Sequence, residues 1–397
     1  MDFRLTEEEQ ALRKEMFDVC KELEKKRPEG WTGIWETWFN DEEYWEYNCY
    51  CAKEFAKKGW LSIDWPVEYG GKGHSKLSKV FLAEAVGYYK LPGVDVFGVN
   101  MTAPTLLMFG TDEQKKKFLP LIAAGEVSWG ELWSEPNAGS DLANVSTSGV
   151  KKGDVYVVNG QKTWSSACHR ADWSFMLFKT DPNAQPKHRG LSFILVDMKS
   201  PGITVAPLYF MNGERAFNEV FLDDVQVPVK NLLGEENKGW GVTRGLMNAE
   251  RSGAGNVAIA ERDFEDLVKF CRNTKRNNQP LSKDPVIRNR LAELSCEIAA
   301  NKALTYRVAW AQDKGLMGPV EASAIRVFGS EVTIRLTYLA SNILGTYGQV
   351  KSSKWAPLEG YYEDRYQSCF AEAIAAGTLE IQKNIIAWEG LGLPRMR

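Results

Sequence analysis

Histidine is nearly absent from this chain. His74, His169 and His188 are the only three among 397 residues, which argues against a histidine-built metal centre. No C-x-x-C pair occurs, and the seven cysteines (Cys20, Cys49, Cys51, Cys168, Cys271, Cys296 and Cys369) are scattered and odd in number. That pattern fits free thiols in a reducing compartment better than a zinc site or a disulfide framework. No metal site is therefore expected. Basic blocks are also missing. The longest is Lys115-Lys116-Lys117, and the net charge is −3, so nucleic acid is not expected as a partner. No apolar run reaches the roughly 18 residues that a membrane span requires. The opening MDFRLTEEEQ is acidic and polar and reads as neither signal nor transit peptide. The expectation is a cytoplasmic protein with no membrane span.

Aromatic residues, by contrast, are plentiful. Fourteen tryptophans occur, many of them between residues 31 and 65. Large core side chains are the simpler reading. A share of them lining an apolar ligand pocket stays open. With 44% hydrophobic and 25% charged residues the chain falls among ordinary globular proteins. Its length accommodates two or three domains at roughly 100–200 residues each.

The periodicity changes twice. Residues 1–122 read as helical, with Thr6-Glu-Glu-Glu opening a first helix, a second near 42–58, and others at 76–90 and 99–109. Thr111 is an N-cap for an amphipathic helix containing or ending near Pro120. Residues 123–235 carry short β-like runs: 154–164, 173–181, 191–198, 202–208 and 217–228. Asn159-Gly160 is a two-residue hairpin signal. No helical segment interrupts these runs, so an antiparallel β domain is expected. Residues 236–397 return to helical periodicity, near 239–273, 283–314, 318–346 and 366–389. Four long helices with short loops suggest an antiparallel bundle. The fold class is thus α+β, in three domains: 1–122 helical, 123–235 β, and 236–397 helical.

Gly253-Ala-Gly255-Asn-Val-Ala258 fits the dinucleotide fingerprint G-x-G-x-x-A. That motif works in a turn between a strand and a helix, and here a helical segment precedes it. The glycines read instead as sites of close packing, at about 1 kcal/mol each against alanine. More informative is SEPNAGSD (134–141), which places hydroxyls, glycine and backbone donors in one turn. Downstream, NGQKTWSS (159–166) sets Trp164 beside two hydroxyls, a plausible wall for a planar heterocycle. Cys168 reads as buried packing and His169 as a polar residue at the sheet edge.

These motifs, with WPVEYGG (65–71), GTDEQKKKFLP (110–120), FNEVFLDDVQVP (217–228), NLLGEENKGW (231–240) and AGTLEIQKNIIAWEGLGLPR (376–395), resemble the acyl-CoA dehydrogenase family over nearly the whole chain. The resemblance implies FAD, an acyl-CoA substrate, and α,β-dehydrogenation of the thioester. A carboxylate would take the α-proton while the β-hydrogen leaves as hydride to flavin N5. Electron-transfer flavoprotein is the implied electron acceptor, and a homotetramer the implied assembly. By position, Trp133 and Ser134 contact the flavin, and Trp164, Ser165 and Ser166 stack on or bond the isoalloxazine and its ribityl region. Ser140 meets the pantetheine arm. Thr378 and Glu380 fall at the adenine and pyrophosphate contacts. Ile343, Leu344 and Gly345, after Asn342, fall where relatives touch the FAD of a neighbouring subunit. Asn248 and Arg251 lie near the CoA chain.

Two departures bear on mechanism. Many relatives carry their base in a Glu-Gly-Thr triplet, which here reads Ala376-Gly377-Thr378. A second branch places it before an arginine on the helix opening the C-terminal domain, where this chain has Glu250-Arg251. Alone, that dipeptide reads as a surface ion pair, although helical neighbours do not face each other. With Ala376 lacking a carboxylate, Glu250 becomes the expected base. The Ala376 N–H remains able to polarise the thioester carbonyl. Small residues at 375–377 and at Ser252, Gly253 and Gly255 imply a branched, cyclic or otherwise bulky acyl group. Asp95 reads as a cap or loop acid, or as a pocket residue facing the acyl group. The second departure is the lack of an Arg-x-x-Phe-Gly element in CRNTKRNNQPLSKDP (271–285). Neither Lys275 nor Arg276 is assigned its pyrophosphate role. A mixed α2β2 assembly stays open for that reason. The rival readings are a non-catalytic partner subunit and a flavin oxidase or monooxygenase on the same fold.

Overall fold

A computed structural model describes residues 4–250, 254–316 and 318–395, with backbone alone for residues 248–250. In chain order its helices are α1 (Glu7–Glu24), α2 (Glu42–Lys57), α3 (Lys76–Tyr88), α4 (Ala103–Phe109), α5 (Asp112–Ala123) and α6 (Gly239–Glu250). They continue with α7 (Ala254–Asn273), α8 (Pro285–Asp313), α9 (Pro319–Leu344), α10 (Tyr361–Ser368), α11 (Ala371–Ile374) and α12 (Leu379–Ile385). The strands are β1 (Trp129–Leu132), β2 (Ser148–Lys152), β3 (Val155–Lys162), β4 (Trp173–Lys179), β5 (Leu191–Asp197), β6 (Ile203–Leu208) and β7 (Phe217–Pro228), with a short hairpin, β8 (Lys275–Arg276) and β9 (Gln279–Pro280). The α+β class and the helical, β, helical order are as expected. The chain forms two compact units: Met1–Ile34, His74–Leu91 and Arg251–Arg397; and Trp35–Gly73 with Pro92–Glu250.

The first unit is helical. α1 opens on a reciprocal capping box, in which the Glu9 N–H donates to Thr6 Oγ1 and the Thr6 N–H to the Glu9 carboxylate. α3 packs against α1, α7 and α8. The buried Glu84 of α3 accepts from Arg13 Nε of α1 (3.0 Å) and from the Tyr306 hydroxyl of α8 (2.9 Å). α3 and α7 approach closely at Gly87, where a Cβ would lie 2.4 Å from the Gly255 carbonyl oxygen of α7. The glycine that this contact requires is Gly87; a Cβ on Gly255 itself would meet only the Ala83 carbonyl oxygen, at an ordinary 3.8 Å. The bundle core lies among α7, α8 and α9, around Leu267, Leu294, Val332 and Leu336.

The fourth long helix expected at 366–389 is broken. α10, α11 and α12 are short pieces, followed by a π-helical turn at Ile386–Gly390. Left-handed Ala376 and Gly377 interrupt the run, with φ of 51° and 86°.

The second unit carries the sheet, in the order β1-β4-β2-β3-β7-β6, with β5 on β4. Most pairings are antiparallel as expected, but β1 runs parallel to β4, and β2 meets β4 in parallel at one residue pair. Asn159-Gly160 is not a hairpin turn. It lies inside β3, where the register to β7 shifts between Val158 and Gly160. Asn159 is used there to bond Asp224 on β7, its amide donating at 3.0 Å and its carbonyl accepting the Asp224 N–H at 2.9 Å. The actual β2–β3 turn uses Gly153, at φ 59°. Pro120 is accommodated within α5.

Candidate functional site

β1 delivers Trp133 and Ser134 to one end of the sheet, where a tight turn follows: Glu135 and Ala138 exchange both backbone hydrogen bonds at 3.0 Å. A fully buried lysine holds this loop. Lys162 Nζ donates to the Trp133 carbonyl (3.1 Å), to Glu135 Oε1 (2.8 Å) and to the Leu177 carbonyl (2.8 Å). Glu135 also accepts from the Ser146 N–H and hydroxyl and from the Thr147 N–H. Burial opposes its charge, but Lys162 and these donors prevail and hold its carboxyl down at about 2. Next in the chain, the Thr163 N–H donates to the Ser134 carbonyl at 2.9 Å. The loops 133–135 and 162–166 are thus bound to each other. Ser140 lies beyond the turn and is exposed.

Trp164 adopts φ 55° and Ala167 φ 56°, conformations that residues bearing a Cβ rarely adopt. Such strain persists where the surroundings over-determine the backbone, and functional sites are its usual location. Here β7 supplies the restraint. Ser165 and Asn218 exchange backbone hydrogen bonds (2.9 and 3.1 Å), and the Ala167 N–H donates to the Ala216 carbonyl (2.9 Å). The buried Asn218 amide donates to the Ser165 carbonyl and lies 3.0 Å from His169 Nδ1. Trp164 is left 56% exposed, edge-on to Phe217, whereas Ser165 and Ser166 are buried.

His169 is bound from both sides, with Nε2 3.2 Å from the Phe39 carbonyl. Burial, then Arg215, pushes its pKa down from 6.5 to about 4. The unfolded chain therefore takes up a proton between these values that the folded protein refuses. The stabilisation is fully present above pH 6.5 and is lost as pH falls to about 4. Urea midpoints measured across this window should fall with pH in the parent protein, and less steeply in His169→Gln.

Among the described residues, two buried polar atoms at these loops have no partner: Ser165 Oγ and Trp133 Nε1. Buried donors and acceptors are rarely left so, and their position marks a cradle for a ligand with hydrogen-bonding edges. A cavity of about 280 Å3 lies in the same unit, bordered by Ala167 and Trp129 and walled by Trp35, Trp38, Phe39 and Trp45. Part of the tryptophan-rich segment thus lines a pocket, while Trp31, Trp60 and Trp65 are core. Asp95 is on the cavity wall. It caps the π-helix Val96–Thr102, accepting from the Phe97 N–H, and its second oxygen accepts from the Trp129 N–H, both at 3.0 Å. Burial pushes its pKa up to about 6 against these hydrogen bonds. Asp95 is thus both a cap and a pocket residue.

In the first unit, Ile343 and Leu344 are buried in the bundle core, so any ligand contact would use their backbone. Arg276 Nη2 donates to the Ile343 carbonyl at 3.1 Å, and Gly345 ends α9 at φ 61°. Thr378 caps α12, its hydroxyl accepting the Ile381 N–H, and Glu380 is exposed in the first turn. Ala376 is exposed in the left-handed turn just before this cap, beside Gly377. The side chains of Asn248 and Glu250 lie outside the described residues, as does Arg251; the backbone of the first two belongs to α6.

Lys162, Glu135 and Asn218 do not stand out in the sequence as site-building residues. A signal for Lys162 exists: inward-facing Tyr156 and Val158 place it on the buried face of β3 by the period of two.

Fold and cradle together define the class: a three-part α+β protein with a β-domain site for a ligand that forms hydrogen bonds. The acyl-CoA dehydrogenase N-terminal, middle and C-terminal domain families match residues 6–126, 130–225 and 237–391. The chain belongs to the acyl-CoA dehydrogenase family, whose members are flavin-dependent oxidoreductases, and is an enzyme of that family. Acyl-CoA dehydrogenase FadE26 of Mycobacterium tuberculosis is 35% identical over 350 residues, covering 86% of this chain and 87% of the relative. The ChsE4–ChsE5 complex from the same organism superposes with a TM-score of 0.88 at 32% identity, covering 100% of both chains. The Tcur3481–Tcur3483 steroid ACAD gives a TM-score of 0.88 at 30% identity, again with 100% coverage of both chains.

Proposed function

We propose that this enzyme binds FAD and dehydrogenates a bulky, ring-bearing acyl-CoA at its α,β-bond, with Glu250 as the base. The observation that carries the reading is the pair of unpartnered buried atoms, Ser165 Oγ and Trp133 Nε1, on two loops bound together by Lys162 and Thr163. Ser134 and Ser166 complete this cradle for the flavin, and Trp164 flanks it. When bound, the flavin supplies the acceptor for the β-hydrogen. Glu250 takes the α-proton. The Ala376 N–H donates to the thioester oxygen, where negative charge grows as that proton leaves. Gly377, at φ 86°, lets the Gln382 amide approach the turn beside it. Asn248, Arg251 and Ser140 hold the CoA arm, and Thr378 and Glu380 the adenylate end of FAD. Ile343, Leu344 and Gly345 meet the FAD of a neighbouring subunit through their backbone.

The aromatic cavity supports the ring-bearing acyl group, with Asp95 on its wall. So does the steroid class named for one relative. Electron-transfer flavoprotein is the proposed electron acceptor. Assembly with a second, different chain is favoured over a homotetramer. Arg276 is engaged with the Ile343 carbonyl, and both structural neighbours are named as pairs of components.

The test is flavin bleaching without oxygen, using the purified chain and a panel of acyl-CoAs. Ring-bearing thioesters should bleach the flavin faster than butyryl- or octanoyl-CoA. A straight-chain substrate at the top of the panel would overturn the bulky-acyl reading. Failure to retain FAD alone, with retention on adding a co-purifying partner, would establish the mixed assembly.

A further inference from the structure

The turn that carries Ala376 is held by one face of α9. Ser323, Arg326 and Ser330 recur along that helix at i, i+3 and i+7, and all three bond toward the 372–382 segment. Arg326 Nη2 donates to two carbonyls, Glu372 at 2.7 Å and Ala375 at 2.8 Å. Ser330 Oγ also donates to the Glu372 carbonyl, at 3.0 Å. Ser323 Oγ donates to Gln382 Oε1 at 2.8 Å, and the Gln382 amide faces the Ala376 and Gly377 carbonyls at 3.5 and 3.4 Å. Arg365 fixes the Glu372 side chain at 2.6 Å. Two consecutive left-handed residues, one of them alanine, are over-determined by these contacts.

The Ala375 carbonyl and the Ala376 N–H belong to one planar trans peptide, so they point in opposite directions. Whatever fixes the carbonyl fixes the N–H. Arg326 draws the carbonyl toward α9, and the N–H is thereby aimed away from α9. A cation on the carbonyl oxygen also polarises the amide, which makes its N–H a stronger donor. We propose that Arg326 is a positioning residue for the reaction: through the 375–376 peptide it orients and strengthens the Ala376 N–H that receives the thioester oxygen. This rests on the proposed role of that N–H.

The experiment uses the FAD-loaded protein, with any partner chain that co-purifies, and carbonyl-13C benzoyl-CoA. That thioester is ring-bearing and has no α-hydrogen to lose. Infrared difference spectra should show its C=O stretch at lower wavenumber when bound than when free. In Arg326→Gln the downshift should shrink, and turnover of the best substrate should fall about tenfold to a hundredfold with little change in KM. Arg326→Lys, which keeps the charge but moves the donor that Nη2 supplies to both carbonyls, should lie between, and it serves as the working variant if Arg326→Gln does not fold. A parental downshift that persists in full in the folded variants overturns the role of Arg326 alone. No downshift in the parent enzyme overturns the Ala376 donor and this inference together.

Discussion

Lys162→Met is expected to lower stability by about 3–5 kcal/mol, the usual cost of leaving a buried charge without its partner. The side chain is wholly buried, and so is the Glu135 carboxylate it neutralises. Methionine fills similar volume but donates nothing. Glu135 would keep three donors from Ser146 and Thr147 and lose its counter-charge, while the Trp133 and Leu177 carbonyls would lose their donor. Lys162→Met with Glu135→Gln should recover much of the loss, because a neutral amide is cheaper to bury.

The pH dependence separates this from simple packing loss. In the parent protein Glu135 is held at about 2 against an ordinary 4.5, so its stabilisation is complete above pH 4.5 and disappears as pH falls toward 2. Without Lys162 the carboxyl titrates higher, and protonation removes the unpaired charge. The penalty in Lys162→Met should therefore be smaller at pH 4 than at pH 7, as read from urea midpoints at both. Because the same ammonium fixes the Trp133 carbonyl, FAD retention should weaken alongside. A variant equally destabilised at both pH values would mean that the pair contributes packing only.

The anatomy of this anchor also marks what was legible in the sequence. The period of two in β3 points Lys162 inward, yet its partner, Glu135, lies 27 residues away in another loop, and local pattern cannot supply that pairing. Asn159-Gly160 misleads for the converse reason. As a local signal it favours a turn, but pairing with β7 keeps it in a strand, and Gly153 makes the bend. Gly87 has no explanation in its own helix, because what requires it is the Gly255 backbone on α7. Helix caps such as Thr6 and Thr111 are satisfied within four residues of themselves and read directly from the chain. The missing carboxylate at Ala376 is equally plain. The left-handed turn there is not, since it depends on hydrogen bonds from α9.

Glu250→Gln is expected to reduce turnover by about 10^2–10^4-fold, the range for loss of a positioned general base, with FAD content and KM little changed. Glu250 is supported by its place in α6 before Arg251 and by the poorer standing of the alternatives. Ala376 has no carboxylate. Glu135 is neutralised by Lys162 and held at about 2, too weak a base for an α-proton. Asp95 sits nearer the useful range, at about 6, but each of its oxygens already accepts a backbone N–H. Taking a proton would weaken a bond that ties the π-helix cap to β1. Rapid-mixing measurement of flavin bleaching with the best acyl-CoA separates the two carboxylates. Loss in Glu250→Gln with near-parental bleaching in a folded Asp95→Asn assigns the base to Glu250. The opposite pattern moves the chemistry to the cavity wall, and Asp95 would then need to exchange its bond to the Trp129 N–H for one to the substrate in every turnover.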